Sequence, residues 1–168
     1  MTKQAIVIGG GPAGLMAAET LLQASIAVDL YDAMPSVGRK FLMAGRGGLN
    51  ITHSEPLTHF QSRYGGAQDH VAAWLTDFGP QHLRDWVHAL GVETFVGTSG
   101  RVFPAEMKAA PLLRAWLHRL RQQGLRIHVR HRWLGWSAEQ HLLFMTPHGE
   151  VAVVADAAVL ALGGGSWP

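Results

Sequence analysis

Apolar and polar positions alternate in a way that sets out most of the chain. Gln4–Ile8 is a short apolar, β-branched run that ends at three glycines, the pattern of a buried parallel strand. Pro12–Ala24 reads as a helix. Proline is tolerated in the first helical turn, and Ala13, Ala17, Ala18, Leu21 and Leu22 supply helix formers and an apolar face. Ile26–Tyr31 is the next strand. Asp69–Phe78 and Pro80–Leu90 have helical spacing and are separated by Gly79, with Gly91 as C-terminal cap. Val96–Pro104 (VGTSGRVFP) is rich in turn residues and reads as a loop. Met107–Gln123 is a longer helix whose stripe of Leu113, Trp116, Leu117 and Leu120 reads as core, and Gly124 closes it. Leu125–Val129 is a strand. His141–Thr146 and Val151–Val154 form a hairpin around the turn PHGE, and Ala157–Leu162 is a buried strand that runs into Gly163, Gly164 and Gly165.

The order of these elements decides the fold class. Strand, glycine turn, helix and strand within about 30 residues make a βαβ unit. A nicotinamide-type Rossmann domain would continue in βα units. Here the third strand leads into an antiparallel hairpin and then a strand ending in glycines. Such a crossover resembles that of FAD domains of the glutathione-reductase type, and the resemblance implies an α/β, FAD-binding Rossmann-like domain. It has a parallel sheet with a β-meander crossover and is incomplete at its C-terminus. Three segments are expected: 1–50 as the first part of the FAD domain, 51–100 as a mostly helical insert, and 101–168 as the second part.

Between Asp32 and the first insert helix lies Val37–Ser54, VGRKFLMAGRGGLNITHS. It holds four glycines, two arginines and a lysine, and reads as a loop. It has no proline and no run of small polar residues, as a flexible linker would. Its position makes it the floor of a cofactor site, with glycines that let backbone approach a ligand.

Composition narrows the chemistry. Apolar residues at 48% and charged residues at 15% describe a globular chain. There is no cysteine, which excludes a disulfide framework, a thiolate metal site and a redox dithiol in this segment. No stretch approaches the roughly 18 apolar residues of a membrane span, and the N-terminus lacks a signal-peptide pattern. A cytoplasmic protein is expected. Net charge is only +2, yet Met107–Ala138 contains no Asp or Glu. It carries Lys108, arginines at 114, 119, 121, 126, 130 and 132, and His118, His128 and His131. A solvated basic face explains such a run; a phosphate-rich cofactor or RNA is the sharper alternative.

Gly9, Gly11 and Gly14 form G-x-G-x-x-G between a strand and a helix. Gly9 permits the tight turn, Gly11 lets backbone approach a pyrophosphate, and Gly14 lets the helix lie close to the sheet. The helix N-terminus offers unpaired N–H groups to phosphates. Asp32 stands 18 residues after Gly14, where a carboxylate accepts bonds from ribose hydroxyls; Asp29 is a rival inside the strand. No Gly-Lys-Ser/Thr follows, which disfavours an NTPase loop, and the acid disfavours a 2′-phosphate.

At GRK, GRGGLNITHSEP, GRVFPAEMKAAPLL and the terminal ALGGGSWP, the chain resembles the BaiN/YhiN-like family of FAD-dependent oxidoreductases. The resemblance implies FAD as cofactor, NAD(P)H as electron donor and a small organic acceptor such as an activated C=C bond. It also implies that the chain is an N-terminal fragment. By resemblance, Gly9, Gly11, Ala13 and Gly14 face the pyrophosphate and Asp32 the adenosine ribose. Arg39 and Lys40 lie on the phosphate and ribose side. Gly45, Gly47, Gly48 and Asn50 pass near the flavin end, with Arg46 and Asn50 as flavin positioners. Backbone at Trp133 lies near adenine, although the family usually has a small β-branched residue there. Gly163 and Gly164 close over the cofactor. Leu49 stands where many relatives have cysteine, so no thiol chemistry carries over. No catalytic residue is assigned and no metal is expected, since the ten histidines lack ligand spacing. His53 is the one histidine to test as an acid/base group. The alternatives are a flavoprotein acting on RNA, an NAD-linked dehydrogenase and an inactive fragment of a flavoenzyme.

Overall fold

The computed structural model describes residues 3–45 and 47–165. They fall into two compact units. One runs up to Phe41 and resumes from Leu117; the other is Leu42–Trp116.

The first unit is built on a four-stranded parallel sheet. Strands β1 (Gln4–Ile8) and β2 (Ala27–Asp32) lie at its centre. The outer strands are β6 (Arg126–Val129) beside β2 and β10 (Ala157–Leu160) beside β1. Helix α1 (Pro12–Gln23) joins β1 to β2, with Leu15 and Ala18 fully buried. Strands β7 (Arg132–Trp136), β8 (Leu142–Thr146) and β9 (Gly149–Val153) form an antiparallel meander between β6 and β10. The meander covers the sheet face that carries Ile6, Ile8 and Tyr31, burying Leu142 and Phe144 against them. Tyr31 stacks between His128 and Phe144, with centroids 4.4 and 4.3 Å away. This is the expected parallel sheet with a meander crossover. β7 turns the expected two-stranded hairpin into three strands. Exposure alternates along β7, but its outward positions carry the apolar Leu134 and Trp136, which hides it from a period-two reading of the sequence.

The second unit holds a small antiparallel sheet of β3 (Thr52–His53), β5 (Arg101–Pro104) and β4 (Thr94–Val96), in that order. Around it are α3 (Leu57–Ser62), a 3₁₀ turn at Gly65–Ala67, α4 (Gln68–Asp77) and α5 (Pro80–Ala89). Helix α6 (Ala109–Gln122) starts here. Leu49, Val87, Val102, Ala109, Leu112, Leu113 and Trp116 are buried, and Trp86 meets Trp116 edge-on at 4.8 Å. The apolar stripe of α6 is core, as its spacing predicts.

Two loop readings are corrected. Val96–Pro104 is half of a β-hairpin: Phe95 stacks on Phe103 at 5.7 Å and Val102 is fully buried, so turn residues cluster only at its tip. Val37–Ser54 contains a helix, α2 (Arg39–Ala44), and strand β3. The glycines that suggest a loop flank the helix: Gly38 precedes it, and Gly45, Gly47 and Gly48 lie between it and β3.

Charge pairing explains part of the basic run. Arg119 Nη2 pairs with Glu19 at 2.9 Å, and Glu19 is 1% exposed. Asp29 accepts from Arg126 Nε (2.8 Å), from His128 Nε2 (2.7 Å) and from Gln4 Nε2 (2.7 Å). Asp29 therefore pins β1, β2 and β6 together and is not the ribose acid. Burial alone would raise its pKa, but the bonds from Arg126, His128 and Gln4 outweigh burial and bring it down to about 2. A carboxylate depressed in the folded state stabilises the fold above its unfolded pKa near 3.8, and that stabilisation is lost as pH falls toward 2. The drop of nearly two units corresponds to roughly 2 kcal/mol. Denaturant unfolding between pH 5 and pH 2 should show that loss in the wild type, and Asp29→Asn should flatten it.

Candidate functional site

The turn after β1 is shaped by missing side chains. Gly9 has φ +109°, and a Cβ there would land on the carbonyl oxygen of Ala161, just past β10. A Cβ at Gly14 would run into the Gly9 carbonyl oxygen and lie 3.3 Å from Ala161 Cβ. These two glycines are required by the protein itself, because α1, the turn and the end of β10 meet there. Gly11 is different. It is the N-cap of α1 with φ −81°, open to any residue, and a Cβ there meets nothing within 4 Å. The fold has no need of a glycine at 11; a ligand brought against that backbone does.

Leu15 N–H is bonded back to Gly11 O at 2.9 Å. The preceding amides of Ala13 and Gly14 lie in the first turn, where N–H groups have no intrahelical acceptor. Gly11 offers no side-chain cap. The N-terminus of α1 is thus left open toward an anion.

Asp32 closes β2 beside this turn. Its Oδ2 accepts from Gly10 N–H at 2.6 Å and its Oδ1 from Met34 N–H at 2.7 Å. Each oxygen retains a lone pair for a further donor. The loop behind it is fastened by backbone: His131 N–H to Asp32 O (2.9 Å), Arg130 N–H to Met34 O (3.0 Å) and Gly38 N–H to Gly10 O (2.7 Å). Arg39 and Lys40 open α2 and are exposed. The ammonium of Lys40 lies 3.4 Å from where a Cβ at Gly163 would stand, and Gly163 has φ +83°. Nothing stands within 4 Å of a Cβ at Gly164. Gly9, Gly11, Ala13, Gly14, Asp32, Lys40 and Gly163 therefore gather at one end of the parallel sheet.

Trp133 packs its side chain on the cluster of Ile6, Ile8, Tyr31, Leu142 and Phe144 and meets Trp136 edge-on at 6.2 Å. Its Nε1 is buried with no hydrogen-bond partner among the described residues. Its side chain serves the contact between meander and sheet.

The remaining site residues belong to the second unit. A Cβ at Gly45 would press on Ala109, and Leu49 N–H bonds Met107 O at 2.9 Å. Gly47 has open space, while Gly48 has φ +107° with Met107 Cε 2.9 Å from its Cβ position. Any side chain at Gly48 strains the loop itself. Asn50 Nδ2 donates to the carbonyls of Thr52 (2.7 Å) and Val102 (3.1 Å), tying β3 to β5. His53 Nε2 donates to Ser99 O (3.0 Å), so Nδ1 is the acceptor of Glu55 N–H (3.1 Å). With both ring nitrogens bonded to backbone and Glu55 Oε1 3.5 Å from Nδ1, His53 holds its loop. Arg46, and the Ser166, Trp167 and Pro168 of the terminal motif, lie outside the described residues.

Sequence reasoning passed over Gly10, a wildcard position of the fingerprint. A Cβ at Gly10 would overlap Val37, with Val37 Cβ at 2.7 Å and Asp32 Oδ2 at 2.8 Å. Gly10 therefore sets how closely Val37 and the Asp32 carboxylate approach the turn. The run of three glycines was the available signal.

A parallel sheet with a meander crossover, a glycine turn against an uncapped helix N-terminus and an acid at the end of β2 define a dinucleotide-binding Rossmann domain. Residues 3–168 match the HI0933-like protein Rossmann domain, and the chain belongs to that family, the BaiN/YhiN-like FAD-dependent oxidoreductases. Solved structures share the fold. The chain is similar to THI4 of Thermovibrio ammonificans (TM-score 0.63, 16% identity) over 96% of its own length and 58% of that protein's. It is similar to the 3-ketosteroid-delta4-(5alpha)-dehydrogenase of Rhodococcus jostii RHA1 (TM-score 0.69, 15% identity) over 96% and 46%. A flavocytochrome c3 fumarate reductase matches with TM-score 0.63 and 17% identity over 97% and 34%. The chain thus spans between a third and three fifths of the length of these proteins.

Gly10→Ala should destabilise the chain by about 1–3 kcal/mol through overpacking. The cost should shrink in a Val37→Gly background, where the obstructing side chain is gone. Denaturant melts of the four chains measure this; equal costs in both backgrounds would contradict the steric account.

Proposed function

We propose that the first unit holds the ADP half of FAD, and that the protein to which this domain belongs passes hydride from NAD(P)H through FAD to a small organic acceptor. An activated C=C bond is the acceptor class the family resemblance favours. The observation that carries the proposal is Gly11: a glycine that no neighbouring atom requires, at an uncapped helix N-terminus, facing open space.

The residues suit the cofactor. Amides of the first turn of α1 would take the pyrophosphate, aided by the helix dipole. Asp32, held by Gly10 and Met34 N–H groups, presents its remaining lone pairs to ribose hydroxyls, and a second negative group at the 2′ position would be repelled. Lys40 beside the Gly163 turn would balance phosphate charge, and Arg39, exposed at the start of the same helix, is the second cation there. Gly163 and Gly164 leave that turn free of side chains. FAD, when bound, supplies the hydride acceptance and donation; the protein's part is to bind and orient. The proposal rests on the first unit alone. Gly45, Gly47, Gly48 and Asn50 remain assigned to the flavin end by family resemblance.

In the full-length protein, Gly11→Ala should leave stability within about 1 kcal/mol of wild type, the range of an N-cap change. It should strip most of the bound flavin. Gly14→Ala should instead unfold the domain by about 2–3 kcal/mol through backbone overlap. Flavin absorbance per mole of protein, read beside a thermal melt, separates the two. Normal flavin content in Gly11→Ala would remove the proposal.

A further inference from the structure

A cleft of about 390 Å³ opens within the second unit, among the segment after β3, the C-terminal turn of α4 and the start of α5. Leu57, Leu75 and Pro80 give it an apolar wall, and Glu55, His82 and Arg84 are its charged or titratable groups besides His53. Its size is that of a small-molecule site. The charge such a molecule would carry is set by which of these groups keep a free hydrogen-bonding atom.

Glu55 is not an open carboxylate. Arg63 grips both of its oxygens, through Nε and Nη2, and holds its pKa below the ordinary carboxylate range. His53 is committed at both nitrogens. The Ser54 hydroxyl donates to Gly100 O (3.0 Å), the Thr76 hydroxyl to Ala72 O (3.0 Å) and the Gln81 amide to Asp85 Oδ1 (2.8 Å). Arg84 is the exception. It is half-buried, its Nε makes a long bond to Thr94 Oγ1 (3.3 Å), and among the described residues neither Nη has a partner. His82 Nδ1 accepts from Gly79 N–H (3.1 Å), so its proton sits on Nε2, a second donor. The cleft therefore joins a guanidinium whose Nη atoms have no partner among the described residues, and an imidazole N–H, to an apolar wall, while its one carboxylate is already neutralised. Guanidinium groups with free Nη atoms pair with carboxylates through two parallel bonds.

We propose that this cleft is a ligand site for a small organic carboxylate, with Arg84 gripping the carboxylate and Leu57, Leu75 and Pro80 packing against its hydrocarbon body. The site lies wholly within residues 53–84 and stands independently of the FAD proposal.

Benzoate and benzamide are suitable probes because they share a ring and differ in charge. Each is titrated into the full chain while NMR follows the His82 ring and the backbone amides of residues 79–84. Benzoate should give saturable shifts, with affinity at least about tenfold above that of benzamide, as a charge-assisted pair implies. Arg84→Gln should lower benzoate affinity to the benzamide level. Thr94 Oγ1 keeps its 2.8 Å hydrogen bond with the His88 ring in that variant, so its hydroxyl is not orphaned. If the variant does not fold, the comparison of the two probes on wild type still decides. Equal binding of both probes, shifts that never saturate, or benzoate affinity unchanged by Arg84→Gln would each overturn the proposal.

Discussion

The first unit depends on one close approach: the helix after β1 crosses the chain at Gly14, against the Gly9 carbonyl and the Ala161 side chain. Two absent side chains let three segments meet. Gly9 N–H then reaches Tyr31 O at 2.8 Å, and Ala161 N–H reaches Ile8 O at 2.8 Å. The turn is locked to β2 on one side and to β10 on the other. Because α1 is drawn in this far, its open N-terminus points at the end of the sheet where Asp32 stands. Packing and cofactor chemistry thus share one turn. Gly9 and Gly14 bring the helix onto the sheet, and Gly11, which offers no side-chain cap, leaves the first-turn amides open to an anion.

The same economy governs charge. Asp29 and Asp32 sit three residues apart on one strand and have opposite fates. Asp29 is sunk into the sheet and saturated by Arg126, His128 and Gln4, so it serves stability. Asp32 lies at the strand's end, held by only two backbone amides, and keeps acceptor capacity. The acid-free basic run is likewise divided. Arg119 and Arg126 are drawn into ion pairs with buried acids, while Arg114, Arg121, Arg130 and Arg132 remain exposed. A run that resembles a nucleic-acid face by composition is in part structural.

Much of this was legible in the sequence wherever local pattern and tertiary role agree. β1, α1, β2, α4, α5, α6, β6 and β10 follow from apolar periodicity with boundaries off by a residue or two. The meander crossover follows from the order of strands. What was not legible is of two kinds. Short elements held by distant partners, such as β3 and β5, show no periodicity of their own; β3 is two residues long and exists because Val102 and Arg101 are there to pair with it. Side-chain commitments are also invisible in one dimension. His53 looks like a loop histidine beside a glycine motif, yet both its nitrogens are taken by backbone. Asn50 reads as a ligand positioner, and its Nδ2 also ties β3 to β5, a bond that spacing does not reveal. The role of Gly10 depends on Val37, which sequence spacing cannot bring near it.

The central claim is that the glycine turn, the α1 N-terminus and Asp32 form a cradle for the adenosine diphosphate half of a flavin dinucleotide. Equilibrium binding of FAD and of FMN to the full-length protein tests it most directly, because FMN keeps the flavin and one phosphate but lacks the adenosine. The account predicts that FAD binds at least about a hundredfold more tightly, roughly 2.8 kcal/mol, and that ADP competes with it. Equal affinity for FAD and FMN, or FAD binding indifferent to ADP, would contradict it.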